Sequence, residues 1–181
     1  MGKLLRIRNQ KNSPHCYAAA ICGVIEVVYY EKYDIKLHLD EYSLHKEVKD
    51  VMGKRRGNTT KIALRHIKKN GVPTMKGDRV FIKDYKKINA SKVWGYTEPL
   101  IIGCDLETGE GLTKRLDKMS YIKRRLSGYH EMIYIETIGI ATIKIANSWG
   151  KNWGDNGYCY AKRTLQTKFD PFIMDAHKIL I

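Results

Sequence analysis

The sequence predicts an α+β fold with two lobes of different class around a cleft. Three observations carry this. Apolar residues recur at helical spacing through the first half of the chain. Ile- and Tyr-rich runs, several alternating with polar residues, fill the second half. Between two of those runs lies NSWGKNWGDNGY, with two Trp and three Gly in twelve residues, which suits neither helix nor strand. At 181 residues the chain is one domain, or two small lobes sharing a cleft, and is long enough to bury a core.

Residues 1–15 are polar and turn-rich. The first helix is expected from about Cys16 to Tyr30. Ala18, Ala19 and Ala20 have high helix propensity, and Ile21, Val24, Ile25 and Val28 recur at its period. Little of it is polar before Glu26, so it should be buried. A short amphipathic helix is expected over Asp40–Lys49. Another runs from about Thr59 to Lys69 and stops at Asn70-Gly71, with Pro73 beyond. Strands are expected at Pro99–Cys104, His130–Ile138, Ala141–Ala146 and Tyr158–Lys162, with a hairpin through Gly139. No repeat, low-complexity tract or linker interrupts the chain.

Composition narrows the function. Hydrophobic residues at 43% and charged residues at 29% exclude a disordered chain. No apolar run approaches the roughly 20 residues that span a bilayer. The start, MGKLLRIRNQ, lacks a signal peptide, and Arg6 stands where a myristoylation motif wants Ser or Thr. A cytoplasmic protein without a membrane partner is expected. The net charge is +14, with 14 bases against 3 acids in residues 49–92 and 6 against 1 in residues 114–125. Such density suits nucleic acid or an acidic partner, or a plainly solvated surface. Cys16, Cys22, Cys104 and Cys159 form no CxxC pair, so no metal site is expected. Cys22 and Cys159 sit in apolar runs, where Cys packs as a small hydrophobe, so free thiols in a reducing compartment are expected.

One cysteine sits differently. Cys16 falls at the first turn of a buried helix, where unpaired N–H groups and the helix dipole lower a thiol pKa. On its own it reads sooner as a structural cysteine than as a nucleophile. A nucleophilic thiol needs a base. Of the six His, His38, His45 and His66 lie in charged segments, whereas His130 follows Ser127-Gly128-Tyr129 and opens an apolar strand.

The stretch Asn147–Tyr158 resembles the NSWGxxWGxxGY signature of papain-like cysteine peptidases. Other matches follow in that family's order. Asn9-Gln10 and then Cys16-Tyr17-Ala18 resemble its NQ and CWA box. Tyr129-His130 with Met132-Ile133 resembles its His strand. Gly57-Asn58, then Ala63-Leu64 and Ile67 through Gly71, resembles the segment beside its substrate cleft. PLIIGCD, Pro99–Asp105, resembles a strand of the form PVSVAID. The resemblance runs from Arg8 to about Arg163.

It implies a papain-like two-lobe fold in one domain, residues 1–181: a helical lobe over about 10–95 and an antiparallel β lobe over about 96–181. It implies Cys16 as nucleophile, His130 as base, Asn147 as orienter of the imidazole and Gln10 as an oxyanion-hole amide. Trp149 is then the ring shielding the His–Asn contact. Gly57, Asn58, Glu131 and Trp149 stand on the substrate side, Glu131 near the pocket for the residue two before the scissile bond. No cofactor or metal is implied. The function implied is hydrolysis of peptide bonds in a peptide or protein substrate. The same triad also serves an amidase, deamidase or acyl transferase, and a basic nucleic-acid-associated protein with an idle triad is the other class of reading.

Departures from the family pattern carry expectations too. Cys16 lies 114 residues before His130 and 131 before Asn147, against about 130–150 in the family, so the chain reads as a shortened member. Nine residues precede Gln10, and no propeptide is seen. Ser13 occupies the place of a usual half-cystine, Tyr17 replaces Trp, Pro14 replaces Gly, and Asn58 replaces the second Gly of a pair. Glu131 replaces a small apolar residue. A carboxylate there is expected to attract Lys or Arg from the substrate, or else to turn to solvent or pair with a nearby base.

Overall fold

The computed structural model describes residues 6–53, 59–105, 129–166, 168 and 171–181. Three helices come first: α1 (Cys16–Tyr33), α2 (Glu41–Met52) and α3 (Thr59–Asn70). Helix α1 is the core helix that its Ala- and Ile-rich run requires, buried without a break from Tyr17 to Val27. It outlasts the expected end by three residues and closes on Asp34, whose left-handed backbone (φ 56°) lets its N–H reach the Tyr30 carbonyl at 2.9 Å. Asp40 caps α2 by accepting the N–H groups of Tyr42 and Ser43 at 3.0 and 3.1 Å.

The strands are β1 (Val72–Pro73), β2 (Arg79–Val80), β3 (Asp84–Ile88), β4 (Leu100–Asp105), β5 (Tyr129–Ile138), β6 (Thr142–Ala146), β7 (Tyr158–Lys162) and β8 (Ile173–Leu180). Among the described residues β1 and β2 pair alone, and the others form an antiparallel sheet in the order β3-β8-β4-β5-β6-β7. Two of these strands lie outside the sequence expectation. Strand β8 returns from the C-terminal end to lie between β3 and β4, and β3 enters the sheet at Asp84. The chain therefore joins the sheet before residue 96, the division read from the sequence, because Ile88, Val93 and Trp94 pack in the core on the sheet's outer face.

The sheet is buried on both faces, and alternation sorts its side chains. Ile101, Ile133, Ile135 and Ile179 face the helices and join Ile21, Ile25, Leu44, Leu64 and Ile67. Leu100, Ile102, Met132, Tyr134, Ile143, Ile145 and Phe172 form the second core on the far side. That double burial is why β4 and β5 read as near-continuous apolar runs. Helix α1 packs on β5, and its first residue, Cys16, meets the β5 backbone at Glu131, next to His130. No helix among the described residues is long and apolar enough to cross a membrane.

Candidate active site

Cys16 is the first residue of α1, and its thiol is half-buried. The main-chain N–H of Glu131 faces the sulfur, with those of Tyr17 and Cys16 itself. These contacts and the helix start favour a thiolate, as expected from the sequence. Burial outweighs them and pushes the thiol above its ordinary value, with the Glu131 charge adding to it. The sequence expectation of a lowered thiol pKa is not met, because burial weighs more than the N–H contacts.

His130 pairs with Cys104 across the β4–β5 ladder and is buried. Its Nε2 lies 2.7 Å from Asn147 Oδ1, and that oxygen also accepts the Ser148 N–H at 2.7 Å. A main-chain N–H can only donate, so the Asn147 atom facing both groups is the oxygen. His130 therefore carries its proton on Nε2, and in the neutral ring Nδ1 is the basic nitrogen. Burial lowers the His130 pKa, and the bond to Asn147 raises it less. A raised thiol and a lowered imidazole both favour a neutral Cys–His pair at rest.

The loop after β6 holds this geometry. The Trp149 ring lies 4.8 Å from His130, and Trp153 meets Trp149 edge-on at 5.3 Å. Gly150 has φ +85°, and a Cβ there would come within 2.9 Å of Asn9 Nδ2. Gly157 has φ +92°, and a Cβ there would stand 2.4 Å from Ile7. The glycines of the motif thus let the N-terminal segment lie against the loop. That segment is bound by Gly150 N–H to Arg8 carbonyl at 2.9 Å and Gln10 N–H to Ser148 carbonyl at 2.7 Å.

Gln10 is buried at the junction. Its Oε1 accepts from the Ser148 hydroxyl, and its Nε2 donates one hydrogen to the Ser13 carbonyl at 2.8 Å, leaving one N–H for a ligand. Arg8 secures the same segment from the helical side. It is buried, with Nη2 on Glu26 Oε1 at 2.7 Å and Nη1 on Glu41 Oε2. Ser148 and Arg8 have a part that the sequence reading missed. Ser148 lay in the quoted motif without a role, and one Arg among 33 bases carries no signal.

The structure thus brings Gln10, Cys16, His130, Asn147 and Trp149 into one neighbourhood. Trp149 covers the His130 ring. Glu131 neither faces solvent nor meets a base among the described residues, against the second of its two expectations. At 2% exposure its Oε1 accepts from Thr60 Oγ1 and, at 2.8 Å, from Tyr129 OH. The fold forces this, because alternation along β5 turns Glu131 away from the His130 face and under α3. Gly57, Asn58 and the basic segment 114–125 lie outside the described residues.

No protein-family model and no curated protein matches the sequence. Solved structures do match the fold. A cysteine protease of Carica candamarcensis aligns over 96% of this chain and 92% of its own, with TM-score 0.72 and 16% identity. The ragweed pollen cysteine protease Amb a 11 in its proform aligns over 97% of this chain and 62% of its own, at TM-score 0.77 and 16% identity. Procathepsin L 3 of the Tenebrio molitor larval midgut aligns over 97% and 66%, at TM-score 0.75 and 16% identity. The chain has the papain-like fold.

Proposed function

We propose that this protein is a cysteine-type peptidase that hydrolyses peptide bonds through Cys16, His130 and Asn147. One observation supports this most: His130 holds its Nε2 proton against Asn147 while the neighbouring N–H faces the Cys16 sulfur. That leaves Nδ1 as a base on the ring of the residue adjoining the thiol's contact. The pair begins neutral. As Cys16 attacks the carbonyl carbon, the thiol proton passes to His130 Nδ1. The oxyanion takes hydrogen bonds from the Cys16 N–H and the remaining Gln10 N–H; removing one such donor typically costs about 10²–10³ in rate. The imidazolium then protonates the leaving amine, and water activated by His130 resolves the thioester. The proposal keeps the cytoplasmic setting expected from the sequence, where cysteines stay reduced.

Incubation of wild type and Cys16→Ala with a peptide library, read by mass spectrometry, tests this. Cleavage by wild type alone supports it. Loss of ammonia from side-chain amides, or acyl transfer without cleavage, would assign the same triad to a deamidase or transferase.

A further inference from the structure

Glu131 is a poor neighbour for a thiolate, and among the described residues Arg6 and Arg8 line the same small cavity without pairing with it. Tyr129 of β5 and Thr60 of α3 both donate to Oε1, and Oε2 is buried with no hydrogen-bond partner. Beyond Tyr129 lies Asp175 of β8, whose Oδ2 is also 2.8 Å from that hydroxyl. His177 of β8 stands 3.9 Å from the Asp175 carboxylate, with Lys61 of α3 and Lys87 of β3 in its field. Strand β4 opposes Glu131 with Gly103 and His130 with Cys104. Helix α1 contributes Cys16, close enough for its thiol to feel the carboxylate. Among the described residues no cation pairs with Glu131.

An ionised carboxylate here would bury one bare anionic oxygen. A neutral acid puts its proton on Oε2 and leaves Oε1 both hydroxyl bonds. We propose that Glu131 is a positioning residue: as a neutral acid it ties β5 to α3 beneath Cys16, and as an anion it suppresses the Cys16 nucleophile. The coupling is electrostatic. An anion near the sulfur raises the thiol pKa, and less thiolate forms at a given pH. Burial chiefly, opposed by the Thr60 hydroxyl and reinforced by Asp175, pushes the Glu131 carboxyl up to about 7. The switch therefore falls near neutrality. It rests on Cys16 being the reactive thiol, as proposed above, but not on what the thiol attacks.

The test compares wild type with Glu131→Gln in two measurements between about pH 5 and about pH 9. The first is the rate of Cys16 alkylation by iodoacetamide. The ratio of variant to wild type should be flat in acid, climb across about pH 7 and level off, by about tenfold for each pKa unit that the anion adds to the thiol. The second is the melting temperature. A carboxyl whose folded pKa is raised from 4.5 to about 7 lends stability in acid that is lost as pH rises between those values, so the variant should gain on wild type over that window and level off above it. Tyr129→Phe and Thr60→Val each remove a donor to Oε1 and should move the step to higher pH. They carry the test if Glu131→Gln does not fold. A ratio constant across the range, or a step that neither donor variant moves, overturns the proposal, even where peptide hydrolysis stands. So does a change in substrate side-chain preference in Glu131→Gln without a pH step, which would make Glu131 a substrate-binding residue. A pH step in a protein that cleaves no peptide supports this switch and sinks only the peptidase reading.

Discussion

His130 Nε2 and Asn147 Oδ1 lie 2.7 Å apart, and the Ser148 N–H on the same oxygen fixes which atom His130 meets. Asn147 therefore selects the tautomer without supplying a charge. Replacing His130 with Ala removes the base and should lower kcat by about 10²–10⁴. Asn147→Ala should cost less, because Trp149 still packs on the ring. Steady-state kinetics of the two variants checks the order. Equal losses would mean that Asn147 does more than orient.

Cys16 should stand apart from the other thiols. None of the four is in a disulfide; Cys22, Cys104 and Cys159 are buried, and burial holds the Cys22 thiol up at about 12 and raises Cys159 as well. Native alkylation should modify Cys16 alone, and denaturing alkylation should modify all four. Cys16→Ala should remove hydrolysis and leave the melting temperature within a few degrees, since it empties no core position. Residual activity within about tenfold of wild type would move the nucleophile elsewhere.

The pH dependence follows from His130. Its pKa is lowered from 6.5 by burial, so it is a neutral base above that value and protonates as pH falls through the lowered one. The acid limb of kcat/KM should lie below 6.5. Stability has the same sign: a base with a depressed folded pKa contributes stability above 6.5 that is lost on acidification, and His15 and His45 are shifted the same way. In Glu131→Gln, which lacks the opposing contribution of Glu131, melting temperature should fall with acid over that window. An imidazole still protonated above about pH 8 in an NMR titration would instead indicate a preformed thiolate–imidazolium pair.

Arg8 joins the N-terminal segment to Glu26 of α1 and Glu41 of α2. Arg8→Met leaves Glu26 and Glu41 with only the more exposed Arg6, at 3.8 and 3.6 Å, as counter-charge, a loss of about 3 kcal/mol. Denaturant unfolding should show it. Because the Arg8 carbonyl holds Gly150, kcat should fall with stability. A change below about 1 kcal/mol would mark the cluster as energetically idle.

Much of this molecule is legible in local sequence. Helix α1 announces itself through Ala18–Ala20 and the Ile and Val positions, and β4 to β7 through their Ile and Tyr runs. Strands β3 and β8 do not. Asp84–Ile88 is rich in Lys because it is a sheet edge, where exposed charge discourages further pairing, and so it reads as solvated surface. Ile173–Leu180 carries Asp175, His177 and Lys178 in an interior strand, second from the sheet edge, and so it reads as a polar tail.

The sequence by itself determined the elements that local pattern specifies, because helix starts, strand periods and a glycine-rich aromatic loop are written in neighbouring residues, and its resemblance to the papain-like motifs supplied Cys16, His130, Asn147 and Gln10 as candidates. Tertiary structure decided their protonation and their support. That the thiol is raised and the imidazole lowered, that Ser148 braces Gln10, and that Glu131 is buried beneath Thr60 and Tyr129 all depend on residues distant in the chain. Desolvation and hydrogen bonding are set by what surrounds a group in space, and no local pattern specifies that.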